Sequence, residues 1–141
     1  MTIWHPNARY PQLNKSTEGT LSATLGIEIT EIGAEFLSGT MPVDSRTVQP
    51  YGLLHGGASV ALAETLGSVA ATLCVDPETK FCVGLDINAN HVRSARSGHV
   101  TGTARPVHVG NRTHVWEIRI VDVDERLICI ARLTMAVLDR Q

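Results

Sequence analysis

Alternating apolar and polar positions occupy both ends of the chain, and one long run of small apolar residues divides them. Residues 27–32 alternate as Ile27-Glu28-Ile29-Thr30-Glu31-Ile32, the pattern of a half-buried strand. Gly33-Ala34-Glu35 reads as a turn, and 36–43 as a second strand pairing with the first in a hairpin. Ahead of them, 20–25 fits a short helix closed by Gly26. Residues 1–18, polar and carrying Pro6 and Pro11, read as an arm with at most one helical turn. After the dividing run the pattern is strand-like again over 81–91, 98–109, 113–123 and 126–138. In the first of these, Val83, Leu85, Ile87 and Ala89 fall on one face by strict alternation. The last is apolar on both faces in places, which suits a central or interface strand.

The dividing run, 55–75, lacks the polar face of a surface helix, so it is expected to be buried. It ends at the turn Asp76-Pro77-Glu78. The order β-β-α-β-β-β-β predicts an α+β fold: one antiparallel sheet curled around one long central helix. Small residues such as Gly56, Ala58, Ala63 and Gly67 would let strands approach that helix closely. A curled sheet leaves edges to be paired, so a dimer at least is expected.

Composition narrows the partners. The chain has 141 residues, which favours one domain, 1–141. A formal charge of −2 argues against nucleic acid or an anionic membrane as main partner. The start lacks a signal-peptide pattern, no apolar run is an uninterrupted membrane span, and the three cysteines show no CxxC pair. A cytoplasmic protein with reduced thiols is the expectation. The histidines show no zinc spacing, and no G-x-S-x-G elbow occurs, so no metal site or serine triad is expected.

The candidate chemistry lies on the helix. Glu64 is the only formal charge in the run, and a carboxylate in apolar surroundings needs a reason to be there. Gly56 and Gly57 open the helix, where backbone N–H groups can face a ligand. Glu64 and Ser68 share a face at i, i+4. Gly56 and Glu64 are eight residues apart, or ~12 Å of helix rise, too far to serve one carbonyl from the same helix. If both act on one substrate, they come from two antiparallel helices of two subunits. Read singly, each residue has a plainer role: His55 as a helix cap, Gln49 as a loop amide, the glycine pair as a turn.

The stretch Pro50-Tyr51-Gly52-Leu53-Leu54-His55-Gly56-Gly57-Ala58-Ser59, with Ala61-Leu62-Ala63-Glu64-Thr65-Leu66-Gly67-Ser68, resembles the hotdog-fold acyl-CoA thioesterases of the 4-hydroxybenzoyl-CoA type. Within them it is most similar to the 1,4-dihydroxy-2-naphthoyl-CoA thioesterases of menaquinone synthesis and the enterobactin-proofreading thioesterases. Met41-Pro42-Val43-Asp44-Ser45-Arg46-Thr47 and Ile87-Asn88-Ala89-Asn90-His91-Val92-Arg93-Ser94-Ala95-Arg96 extend the resemblance.

It implies hydrolysis of an aromatic hydroxyacyl-CoA, without metal or other cofactor, at the dimer interface of a dimer of dimers. Glu64 would be nucleophile or general base, and the Gly56 N–H would polarise the thioester carbonyl. Gln49 and His55 would be polar helpers, and Ser68 would help place water. Gly84, His91, Val92, Arg93 and Ser94, with His108, Val109, Gly110, Asn111, Arg112 and Thr113, would hold coenzyme A. Proofreading or broad-range hydrolysis of acyl-CoA or acyl-carrier-protein thioesters is the alternative within that chemistry. A hotdog dehydratase fits the spacing of the H-G-G motif and Glu64 less well, and a non-catalytic acyl-CoA sensor would need no charge at position 64.

Overall fold

A computed structural model describes residues 1–10, 14 and 17–141. The first element is the short helix α1 (Leu21–Leu25), closed by Gly26 at φ 74°. Strands β1 (Glu28–Ile32) and β2 (Leu37–Pro42) form the expected antiparallel hairpin. The long helix α2 (Gly56–Leu73) follows. Then come β3 (Lys80–His91), β4 (His99–Val109), β5 (Thr113–Val121) and β6 (Leu127–Asp139). All strands join one sheet in the order β1-β2-β4-β5-β6-β3, and every neighbouring pair is antiparallel.

Helix α2 touches every strand from β2 to β6. Five strands spaced ~4.8 Å apart are wider than one helix of ~10–12 Å diameter, so the sheet curls around it. Missing side chains make the contact close. A Cβ on Gly102 of β4 would stand 2.7 Å from Leu66 Cδ1, and one on Gly67 2.5 Å from Leu133 Cδ2. Leu62, Leu66, Trp116, Ile118, Ile120 and Leu133 are completely buried between helix and sheet.

Three expectations change in three dimensions. Helix α2 is not buried all round. Ala58, Leu62, Ala63, Leu66, Ala70 and Ala71 are buried, but Gly57 and Thr72 are exposed and Ala61, Glu64, Thr65 and Ser68 are half-buried. That is one stripe at helical spacing, and it is open because a single curled sheet covers only one side of a helix.

The alternation in β3 fails at Leu85. The register steps from Gly84↔Met135 to Asp86↔Thr134, a β-bulge with Leu85 as the extra residue. Ile87 and Ala89 do pack on the core, joined there by Cys82, whereas Val83 and Leu85 are 39% and 61% exposed.

The described N-terminal residues are docked rather than loose. Trp4 is buried, stacks on Trp116 with ring centroids 6.4 Å apart, and donates from Nε1 to the Gly33 carbonyl at 2.7 Å. The Ile3 N–H donates to Ala34 O and the His5 N–H to Leu73 O. Residues 11–13 and 15–16 of the expected arm lie outside the described residues. Among the described residues, strand β3 is an edge of the sheet with no strand on its outer side.

Candidate active site

The start of α2 is prepared by a tight loop. Gln49 and Leu53 close it: the Gln49 N–H donates to Leu53 O and the Gly52 N–H to Gln49 O, both at 2.8 Å, with Gly52 at φ 77°. The Tyr51 N–H donates to Gln49 Oε1. With its oxygen engaged, the Gln49 side chain has its amide N–H groups left for a ligand.

His55 is the helix cap. Its backbone is extended (φ −69°, ψ 131°), and its Nδ1 accepts the Gly57 N–H at 2.8 Å. The Ala58 and Ser59 N–H groups donate to the His55 carbonyl. Among the described residues only the Gly56 N–H of this first turn finds no acceptor. It sits at the positive end of an 18-residue helix. His91, at the end of β3, closes over it: a Cβ on Gly56 would stand 3.0 Å from His91 Nε2.

Two turns further on, Glu64 projects from the open stripe towards β3. Gly84 receives it; a Cβ there would lie 2.6 Å from Glu64 Oε2. Among the described residues the Glu64 carboxylate has no ion pair and no hydrogen bond. Ser68 lies one turn on, its Oγ 3.8 Å from Met135 Sδ. Carboxylate and hydroxyl thus share one wall of small and soft groups.

Two cavities flank these groups. One of about 530 Å³ is lined by Gln49, Leu53, Leu54, Gly56, Ser59, His91, Val92, Arg93, Ser94 and Ile128. It gathers Gln49 and the segment from His91 to Ser94 beside the Gly56 N–H. The other, of about 310 Å³, is lined by Ala8, Arg9, Ser68, Val69, Thr72, Leu73 and Pro77. Apart from Ser68, none of its residues was singled out from sequence. Val69 and Thr72 were within reach, since they continue the stripe of Glu64 and Ser68. Ala8 and Arg9 belong to the N-terminal arm, and the docking of Trp4 brings them there.

One protomer does not assemble the whole predicted site. Gly56 and Glu64 stay ~12 Å apart along their helix. Gly84 belongs beside Glu64 rather than in the large cavity. The segment 108–113 is the β4–β5 turn, held by Gly110 N–H to Thr113 O. Thr113 pairs with Ala136 of β6 and His91 with Cys129, so the two segments expected to hold coenzyme A lie ~23 Å apart along that strand.

The other reactive groups are spectators. Burial, with Cys82 nearby, pushes the Cys74 thiol up to about 12, and burial pushes Cys82 up to about 11. Neither forms thiolate at neutral pH, so neither is placed to act as a nucleophile there. His114 is buried and accepts the Trp116 Nε1–H at 3.4 Å, a packing role.

The chain matches the family model of the thioesterase superfamily over residues 51–129. It is 54% identical to the 1,4-dihydroxy-2-naphthoyl-CoA hydrolase of Escherichia coli, with 96% of this chain and 99% of that one covered. It is 47% identical to the proofreading thioesterase EntH of Cronobacter turicensis, covering 96% and 98% respectively. Among solved structures, a mutant of thioesterase PA1618 from Pseudomonas aeruginosa superposes with a TM-score of 0.95 at 52% identity. That superposition covers 99% of this chain and all of the other. The fold is the hotdog fold of that superfamily.

Proposed function

We propose, for a chain that belongs to the thioesterase superfamily and is a thioester hydrolase, that its substrate is an aromatic hydroxyacyl-CoA. 1,4-Dihydroxy-2-naphthoyl-CoA and 4-hydroxybenzoyl-CoA are the forms expected to react. The hydrolysis is carried by two groups on α2 that have no partner among the described residues, the Gly56 N–H and the Glu64 carboxylate, and the acyl group by the likeness to a 1,4-dihydroxy-2-naphthoyl-CoA hydrolase. A hydrolase of thioesters needs one donor for the carbonyl oxygen and one base or nucleophile for its carbon.

The thioester carbonyl gains negative charge on oxygen as its carbon is attacked. The Gly56 N–H, fixed at a helix N-terminus, stabilises that oxygen without reorganising. The Gln49 amide N–H groups stand on the same cavity wall and add a second donor. Glu64 either attacks the carbon directly or takes a proton from the attacking water. In both routes the C–S bond breaks, the sulfur leaves as coenzyme A and is protonated, and water supplies the oxygen of the acid. Ser68, one turn from Glu64, orients the water. None of these steps calls for a metal or redox group. His91, Val92, Arg93 and Ser94 line the way in for the pantetheine arm, and Arg93 offers a guanidinium to phosphate.

The site is completed by a second copy. Two α2 helices side by side and antiparallel put Gly56 of one beside Glu64 of the other, and symmetry makes two such sites. The open stripe on α2 and the unpaired β3 edge are the surfaces this requires. In the same dimer the 108–113 turn of one protomer can approach the His91 end of the other. Members of this superfamily commonly form oligomers, and a dimer of dimers is the assembly proposed here.

The likeness to a proofreading thioesterase favours a second reading, in which the same acyl groups are also removed from carrier proteins. Release of free thiol separates the two when measured across 1,4-dihydroxy-2-naphthoyl-, 4-hydroxybenzoyl-, phenylacetyl- and fatty acyl-CoA and an aryl-carrier-protein thioester. Glu64→Ala is expected to abolish turnover of every substrate while leaving a folded oligomer. Retained turnover would sink the mechanism.

A further inference from the structure

Beside the Gly56 N–H and the Gln49 amide, one more polar side chain of α2 faces the larger cavity. Ser59 lies three residues after Gly56, on the same helix face and ~4.5 Å further along the axis. It is 1% exposed, yet it lines the 530 Å³ cavity together with Gly56, Gln49 and His91. A hydroxyl inside a helix can return its proton to the carbonyl four residues back. The two threonines of α2 do so: Thr65 Oγ1 donates to Ala61 O at 2.6 Å and Thr72 Oγ1 to Ser68 O at 2.9 Å. Ser59 does not. Its backbone N–H donates to His55 O, but among the described residues its Oγ has no hydrogen-bond partner. No side-chain oxygen there is both sealed from solvent and unpartnered, so the Ser59 Oγ opens into the cavity.

The spacing says what the hydroxyl can reach. In a capping box, a glutamate three residues on turns back and accepts a backbone N–H at the helix start. Ser59 stands in that relation to the Gly56 N–H. Its side chain is two bonds shorter than a glutamate's, so the hydroxyl stops ~2.5 Å short of such a contact. The gap left between Ser59 O–H and Gly56 N–H takes one acceptor oxygen, held by both donors at ~2.7–3.0 Å. Gly56 keeps the gap open, and His91 Nε2, 3.0 Å from where a Cβ on Gly56 would stand, closes its far side. We propose that Ser59 is a further catalytic residue, whose hydroxyl donates to the thioester oxygen alongside the Gly56 N–H. The inference rests on the aryl-CoA reading and on the role given to Gly56 above.

The oxygen is a weak acceptor in the bound thioester and a strong one once its carbon is attacked. The Ser59 hydrogen bond therefore tightens in the transition state, and its loss falls on kcat rather than KM. The proton stays on Ser59 throughout. When the C–S bond breaks, the oxygen returns to a carbonyl and the bond relaxes.

The test uses the full chain and 4-hydroxybenzoyl-CoA in two measurements. In steady-state release of free coenzyme A, Ser59→Ala is expected to lower kcat about a hundredfold and to leave KM within about twofold. In infrared difference spectra, the substrate carries a 13C label at the thioester carbonyl and is bound to Glu64→Ala, which does not turn it over. Adding Ser59→Ala to that variant should move the carbonyl band to higher frequency, because a donor to the oxygen is gone; a residue that only packs would not move it. Adding Gly56→Pro instead should move the band the same way. A kcat within threefold of wild type in Ser59→Ala, or a band that Ser59→Ala leaves in place while Gly56→Pro moves it, overturns the role of Ser59 and leaves that of Gly56 standing. A band that neither substitution moves overturns the role of Gly56, and this inference with it. A wild type that releases no coenzyme A from 4-hydroxybenzoyl-CoA overturns the aryl-CoA reading and likewise this inference.

Discussion

Gly84 leaves the space that Glu64 occupies: a Cβ on residue 84 would stand 2.6 Å from the carboxylate Oε2. The relationship crosses from helix to edge strand and sits one residue before the Leu85 bulge. It places a glycine in the strand for the sake of a side chain opposite.

Gly84→Ala tests that relationship. The atom it meets is the far end of a flexible side chain, so the fold can yield by turning Glu64 aside. The expected outcome is a fall in kcat of tenfold or more, with unfolding free energy in urea changed by less than about 1 kcal/mol. Steady-state kinetics beside a urea titration checks both. Full activity in the alanine variant would show that the carboxylate does not need that position.

Mixing experiments test the two-copy site. Gly56→Pro removes the N–H at the first helical position, where proline is tolerated, and the extended His55 backbone accepts a following proline. Gly56→Pro and Glu64→Ala should each be inactive alone. Unfolded and refolded together, they should regain about a quarter of wild-type activity per site, because half of the chains pair as heterodimers with one intact site each. No recovery in verified heterodimers would overturn the two-copy site.

The pH dependence of stability has a marker in His114. Burial, with His108 nearby, lowers its pKa from the ordinary 6.5. Above that value the side chain is neutral in both states and its contribution is fully present. As pH falls through it, the unfolded chain binds the proton first and stability is lost until the folded pKa is reached. The limiting slope is about 1.4 kcal/mol per pH unit for one proton. Urea unfolding from pH 7 to 5 should therefore show a shallower decline in His114→Asn than in the wild type, whatever the variant's stability at pH 7.

Much of the architecture was legible in the chain. The alternation of Ile27 and Ile29, the turn at Gly33 and the small-residue run after His55 mark the strands and the helix locally. Side-chain periodicity and turn chemistry act over a few residues. Leu85 shows where that reading stops. Its alternation is regular in sequence, yet the bulge depends on how β3 meets β6, and no local signal carries that.

The same division runs through the site. By itself the sequence determined a carboxylate in mid-helix, a pair of glycines at the helix start, and a spacing between them that one helix cannot close. Those are consequences of residue identity and helical rise. Only the tertiary structure decided that the helix keeps one face open, that Gly84 makes room for Glu64, and that Trp4 anchors Arg9 beside Ser68. Each of these depends on long-range packing: the curl of a six-stranded sheet around one helix, and two tryptophans stacked from opposite ends of the chain.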